Sequence, residues 1–179
     1  LFSYSQALNK QYNLNTTNLL LANLYGPGDD FREETSHVIP AIILKINTAI
    51  NNKSSHIDVW GDGTPTRDFL YVDDAAEAIH LTINSSYNSQ NPVNIATAQE
   101  CSIQSLIEQI ILQMNYSGAI KYDTTKPNGQ PKRVLNCSRA EKVIGFKSSI
   151  GIHEGIKKTI DYFLKHKSKL INLKKKYEN

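Results

Sequence analysis

The sequence predicts an α/β protein: the last part of a parallel, doubly wound sheet, followed by a smaller α+β region. Three observations carry this. The run from Thr16 to Leu24 is apolar without clean alternation, which suits a strand buried on both faces, as in a parallel sheet. A helical pattern precedes it and Gly26-Pro27-Gly28 stops it, and helix, buried strand and polar loop make up the repeating unit of such sheets. Helices and short strands then alternate to near the end, with no internal repeat and no low-complexity tract.

In order, residues 2–13 read as a helix through Phe2, Ala7, Leu8 and Tyr12, and the buried strand at 16–24 follows. Ser36 is a good N-cap for a helix over 37–51, with Pro40 in its tolerated first turn and Ile39, Ile42, Ile43, Ile46 and Ile50 on its apolar face. A short strand over 56–60 ends at Trp60, and Gly61-Asp62-Gly63-Thr64-Pro65 forms a turn cluster. A strand over 69–72 leads to a helix over 74–85, capped by Asp73 or Asp74, with Ala75, Ala76, Ile79 and Ile83 inward. A strand at 92–96 follows, then a helix from Ser102 to about Met114 and a strand at 120–122. After a loop at 126–131 come a strand at 133–136, a short helix from Ser138 with Gly145 as its C-cap, and a last helix over 152–165.

Composition narrows the function classes. Hydrophobic residues at 40% and charged residues at 21% are ordinary globular values. No apolar run approaches the roughly 18 residues of a membrane span, and no secretory leader is expected. Cys101 and Cys137 are too few and too distant for a zinc pattern or a disulfide framework, so no metal is expected, and a reducing cytoplasm is the simplest setting. The chain opens on Leu1 and its single methionine is Met114, so it is expected to be a piece of a longer protein. The net charge of +3 is uneven: eight Lys stand from Lys157 onward against Asp161 and Glu178. Twelve basic against fifteen acidic residues remain before them, leaving the body at about −3. A basic tail at 168–179 can touch nucleic acid, but it lacks interleaved aromatics apart from Tyr177, and Lys also suits a solvated helix end.

Four segments could build a ligand site: Asn23-Leu24-Tyr25-Gly26-Pro27-Gly28-Asp29, Ser36-His37-Val38-Ile39-Pro40, the stretch from Val59 to Phe69 containing Trp60-Gly61-Asp62-Gly63 and Thr66-Arg67-Asp68, and Tyr71-Val72-Asp73-Asp74. His37 stands where a helix dipole favours neutral imidazole, suited to proton exchange, and is otherwise an exposed N-terminal histidine. The planar fork of Arg67 suits a diphosphate. Trp60 could cover a sugar or base, or belong to the core, and Lys45 lies two turns along the helix from His37. Asn23 could hydrogen-bond a ligand or tie down a strand end. Asp73 and Asp74 look like paired acids, but helix capping accounts for them.

Together, in this order, the four segments resemble the nucleotide-sugar branch of the extended short-chain dehydrogenases, the NAD-dependent epimerase/dehydratase family. The resemblance runs from about residue 5 to 163 and is nearest to GDP-4-keto-6-deoxy-sugar epimerase/reductases. It implies a Rossmann-type cofactor domain and a nucleotide-sugar substrate domain. On this reading residues 1–30 end the Rossmann domain, with 72–96 returning to it, 31–71 and 97–167 form the substrate domain, and 168–179 is the tail. NADP would be bound mainly by a missing N-terminal half that holds the family's Tyr–Lys pair. No G-x-G-x-x-G occurs here, and the spacing of Tyr122 and Lys126 is accidental because Pro127-Asn128-Gly129 cannot be helical.

The resemblance makes His37 an acid/base catalyst beside the nicotinamide and sets Leu21, Ala22, Asn23 and Leu24 on the cofactor side. It places Lys45, Trp60, Arg67, Asn128 and Arg133 against the GDP-sugar. Asn128 replaces an aspartate usual in relatives, and Ala96 and Ala98 stand where glycine is usual. A homodimer is implied for the full-length enzyme. Two rivals stay open: another nucleotide-sugar 4-epimerase or 4,6-dehydratase of this superfamily, which would not need His37, and a nucleic-acid-binding module led by the Lys tail.

Overall fold

The structure, a computed structural model, describes residues 1–89 and 91–176, with side chains through Leu170. Its elements are α1 (Phe2–Tyr12), β1 (Leu19–Leu21), β2 (Asn23–Tyr25), α2 (Val38–Asn51), β3 (His56–Trp60), β4 (Thr66–Arg67), β5 (Phe69–Tyr71) and α3 (Val72–Asn84). They continue as β6 (Val93–Ile95), β7 (Cys101–Ser102), α4 (Ile103–Gln113), β8 (Ala119–Asp123), β9 (Lys132–Arg133), α5 (Ser138–Ile144) and α6 (Ile152–Lys176). Parallel pairing dominates: β1 with β6, β2 with β5, β3 with β8 and β4 with β9, while β4 also pairs antiparallel with β7.

The apolar run at 16–24 is two strands rather than one, and it is not buried on both faces. Ala22 donates its amide to Ile95 O at 2.9 Å and Asn23 donates to Asp68 O at 3.2 Å, so the chain changes partner between consecutive residues. Leu20 is 50% exposed, and Leu24 also meets solvent. The strand buried on both faces is β5. Its neighbouring side chains point to opposite sides: Phe69 and Tyr71 enter a core with Ile43 and Ile46 of α2, Ile107 of α4 and Ile156 of α6, whereas Leu70 packs with Val93, Ile95, Ala140 and Phe146. The two cores meet at this three-residue strand.

Several helices differ in phase or ends from the sequence reading. The N-cap of α2 is His37, not Ser36, and no side chain caps it. Pro40 occupies the third helical position, where the missing N–H removes a donor that a capping side chain would take. Ala49 rather than Ile50 faces the core of α2. In α3, Ala75 and Ala78 point inward, while Ala76, Ile79 and Ile83 are exposed. The cause is Asp74, which is buried and not a cap: Asp74 Oδ1 accepts from Ser149 N at 3.0 Å and Ser149 Oγ at 2.7 Å, and Oδ2 accepts from Ile150 N at 3.0 Å. These bonds turn the face bearing residues 74, 75 and 78 toward the start of α6.

Asp68 makes a matching clamp, accepting from Thr97 N, Thr97 Oγ1 and Ala98 N, and it holds Ala98 at φ +58° in the left-handed region that glycine adopts freely. The strand expected at 133–136 shrinks to Lys132–Arg133, because Asn136 Oδ1 accepts from Ser138 N at 2.9 Å and begins α5 instead. Gly145 ends α5 at φ +68° as expected, and Ser102 caps α4 by accepting from Ser105 N at 3.0 Å. The last helix reaches Lys176 rather than 165, since no Gly or Pro follows Gly155 to stop it. The end of the expected basic tail, residues 177–179, lies outside the described residues. Among the described residues no helix is long and apolar enough to cross a membrane, and no group of His, Cys, Asp and Glu could hold a metal ion.

Candidate active site

A cavity of about 780 Å³ opens where the parallel strands β1, β2 and β3 end. Ligands of open parallel sheets sit at such carboxyl ends, outside the strands. Its wall gathers Leu21, Ala22, Asn23 and Leu24 from the strand ends and His37 and Lys45 from α2. Trp60 from β3, Arg67 from β4 and Asn128 from the loop after β8 complete the set. Nine of the ten residues singled out from sequence thus share one cavity. Arg133 does not line it, although it stands beside Arg67 in the β4–β9 register. A second cleft of about 640 Å³, rich in hydroxyls from Thr66, Ser102, Ser105 and Ser149, is lined by none of the ten.

The cations of the wall are only partly engaged. Lys45 Nζ donates to Asp58 O at 2.8 Å, which fixes the end of the side chain while leaving further N–H donors. Arg67 Nη1 donates to Thr66 O at 2.7 Å and Gln130 O at 2.6 Å, leaving Nε and Nη2 without a partner among the described residues. That free edge of the fork is the one that can grip two oxygens of a phosphate.

Trp60 is 69% exposed, so it belongs to the cavity rather than the core, with Lys126 Nζ 5.8 Å from its ring centroid. Asn128 Oδ1 accepts from Asp62 N at 2.8 Å, a bond that an aspartate would also make. Gly61 permits it: at φ +80° a Cβ there would overlap Asn128 Oδ1. Asp62 in turn accepts from the Thr64 hydroxyl and amide, which hold its carboxyl below the usual range and shape the turn. Asn23 Nδ2 donates to Asp68 O at 2.9 Å, tying the strand end, and its amide oxygen has no partner among the described residues.

His37 is 80% exposed at the N-terminus of α2, with Nδ1 3.7 Å from Asp29 Oδ1. The loop between them folds back on itself. Asp30 Oδ2 accepts from Arg32 Nη2 at 2.7 Å and Thr35 Oγ1 at 2.5 Å, Asp30 Oδ1 accepts from Arg32 N at 2.9 Å, and Ser36 N donates to Arg32 O. Sequence reasoning missed Asp29 as a neighbour of His37, and it missed Glu33 and Glu34 on the cavity wall. Eight positions separate Asp29 from His37, and only the turn organised by Asp30 brings them together. A carboxylate after Gly26-Pro27-Gly28 was the available signal.

The family model described as the NAD dependent epimerase/dehydratase family matches residues 2–96. Among curated proteins, the GDP-L-fucose synthase of Escherichia coli is 31% identical over 92% of this chain and 53% of its own length. The GDP-L-colitose synthase of Yersinia pseudotuberculosis is 36% identical over 82% of this chain and 47% of its own. Among solved structures, a GDP-L-fucose synthetase from Naegleria fowleri bound to NADP superposes with a TM-score of 0.81 at 29% identity, over 93% of this chain and 52% of that one. The chain spans about half the length of the curated relatives it matches.

Proposed function

Because the chain belongs to the NAD dependent epimerase/dehydratase family, we propose that it forms the substrate-binding part of an NADP-dependent epimerase/reductase that makes GDP-L-fucose from GDP-4-keto-6-deoxy-D-mannose. The observation that carries this reading is the convergence of His37, Lys45, Trp60, Arg67 and Asn128, from four separate segments, on one cavity at the strand ends. The similarity to a GDP-L-colitose synthase supports a second sugar on the same GDP carrier, decided by which product the enzyme releases.

Arg67 and Lys45 hold the diphosphate, the former through its unengaged Nε and Nη2 and the latter as a point charge. Trp60 covers the base or sugar, Asn128 bonds the nucleotide-sugar through its amide, and Arg133 adds positive charge beside Arg67. Residues 21–24 meet the cofactor edge, and the open amide oxygen of Asn23 and the apolar Leu21 and Ala22 fit a nicotinamide there. The rest of the cofactor would be held outside this chain, which contains no G-x-G-x-x-G. When bound, NADPH supplies hydride to C4.

The work of this chain is proton exchange. The C4 ketone acidifies the hydrogens on C3 and C5, and His37 serves one face of the sugar in this exchange. The electron pair left on carbon is delocalised into the ketone as an enolate, and a second acid from the missing half serves the opposite face. In the full-length enzyme His37→Asn is expected to slow solvent deuterium exchange at C3 and C5 by roughly 10²–10⁴, with substrate affinity kept. Arg67→Ala is expected to raise KM with kcat little changed. Exchange at the wild-type rate in His37→Asn at both carbons would give the site to a simple 4-epimerase or dehydratase instead.

The division of the chain is part of the proposal. Residues 1–30 and 72–96 belong with the cofactor domain, as the β1–β6 pairing supports, and 31–71 with 97–167 form the substrate domain. The edge of β1 away from β6 pairs with no strand among the described residues, and Leu20, Leu24 and the uncovered α1 await a partner. The rest of the enzyme covers the strand, with a second copy as partner for the full-length dimer. Residues 1–179 alone are therefore expected to bind neither NADP nor NAD, and tight binding in a calorimeter would refute this division.

A further inference from the structure

We infer that Asp29 positions His37 for proton exchange, by accepting from its Nδ1 and so presenting Nε2 to the sugar. The inference rests on the proposed epimerase reading and adds to it a residue that acts through another. Asp29 is not on the cavity wall, and its side chain is only 13% exposed. Oδ1 accepts from Asp30 N at 2.8 Å and lies 3.7 Å from His37 Nδ1, while Oδ2 is buried with no partner. A carboxylate oxygen taken out of water without a hydrogen bond costs stability. The fold nevertheless spends two ordered features on keeping it there, the Gly26–Asp29 turn and the Asp30-centred loop.

Closing by about 0.8 Å would bring the pair to hydrogen-bond distance. Catalytic contacts are often long before substrate arrives and tighten in the complex. Because His37 is exposed, it can make that move by a side-chain rotation alone. A histidine whose Nδ1–H is held by a carboxylate is fixed in the tautomer with Nε2 free, and its ring plane is fixed with it. Glu33 and Glu34 share the cavity wall with Lys45 and Arg67, so the charge around His37 is mixed and Asp29 is distinguished by geometry rather than by charge alone.

The test uses full-length enzyme carrying Asp29→Asn, Asp29→Glu, His37→Asn and the Asp29→Asn/His37→Asn pair. Asp29→Asn is expected to slow deuterium exchange at C3 and C5 roughly 10–100-fold, with KM unchanged and Asp29→Glu partly restoring the rate. In the His37→Asn background the same change is expected to cost nothing further, because the two residues act as a unit. The ¹⁵N shifts of the His37 ring should move from a fixed Nδ1–H tautomer toward a mixture. If His37→Asn abolishes exchange while Asp29→Asn keeps the wild-type rate and ring shifts, the inference is overturned and the epimerase reading stands. If Asp29→Asn costs the same with and without His37, its role is structural and the inference fails. Wild-type exchange in His37→Asn overturns both.

Discussion

Asp68 and Asp74 are buried and the Asp29 side chain is only 13% exposed, and the fold treats the pair and the third in two ways. Asp68 and Asp74 are each bonded by two backbone amides and a hydroxyl, so both carboxylate oxygens are engaged. Asp29 accepts one amide and leaves its second oxygen bare. The first pair staples distant segments together, β4–β5 to the loop before β7 and α3 to the start of α6. The third fastens nothing far away and faces an exposed histidine across 3.7 Å. A carboxylate that the fold depends on is saturated; one left half-engaged beside a cavity points to a partner that arrives later.

The largest expected effect separates the two kinds directly. Asp74→Ala strands two amides and a hydroxyl and is expected to cost about 3–5 kcal/mol, with Asp68→Ala alike, whereas Asp29→Ala should cost under about 1 kcal/mol. Urea unfolding of the full-length protein measures this as shifts in midpoint at unchanged slope. Equal losses at all three positions would erase the distinction. Next in size is the seam that the Asp74 clamp protects. Tyr25, whose phenol is pushed up by burial, has its hydroxyl against Gly155 of α6, where a Cβ would overlap it. Gly155→Ala is therefore expected to cost about 1–3 kcal/mol by overpacking, and Gly155→Ala with Tyr25→Phe should recover part of it if the hydroxyl is the obstacle.

The smallest effect compares Asp29 with its neighbour. Hydrogen bonds from Arg32 and then Thr35 hold the Asp30 carboxyl well below its ordinary value of 3.8. A depressed folded-state value stabilises the fold at pH above the unfolded value and is lost as pH falls below about 4. The Asp30 side chain is 30% exposed and its partner Arg32 44%, so solvent screening keeps this to under about 1 kcal/mol. Asp30→Asn is expected to flatten the acid limb of a stability–pH curve slightly while leaving neutral stability nearly unchanged, as measured by thermal melts from pH 3 to 7.

Much of the fold was legible because it rests on local signals. The Ser102 start of α4, the Gly145 stop and the Gly61–Gly63 turns act within a few residues, and each stands where the pattern placed it. The two-residue strands β4 and β7 were not legible, since two residues hold no period. Nor was the phase of α3: isoleucines at 79 and 83 promised an apolar face, but the buried bonds of Asp74 to a segment 75 positions away settled it. The same split runs through the candidate site. Lys45, Trp60, Arg67 and Asn128 stood out because their side chains suit a ligand by type and their motifs are specific in combination. Asp29 did not, because its meaning lies in a distance to His37 that no spacing encodes.

The partner switch at Ala22 bears on how the gene can change length. Successive amides there go to Ile95 of β6 and then to Asp68, just before β5, and the side chains of β2 alternate from exposed Leu24 to buried Tyr25. One extra codon between Leu21 and Asn23 would force either a bulge at the switch or a one-residue slip of β2 against β5, and the slip sends Tyr25 to solvent and Leu24 inward. Insertions in the loop at 124–131 would turn no strand over, and their cost lies instead in moving Asn128 and Gln130 away from Asp62 and Arg67. Within this family the spacing at Ala22 should thus resist insertion and deletion even where its neighbours are free to be substituted.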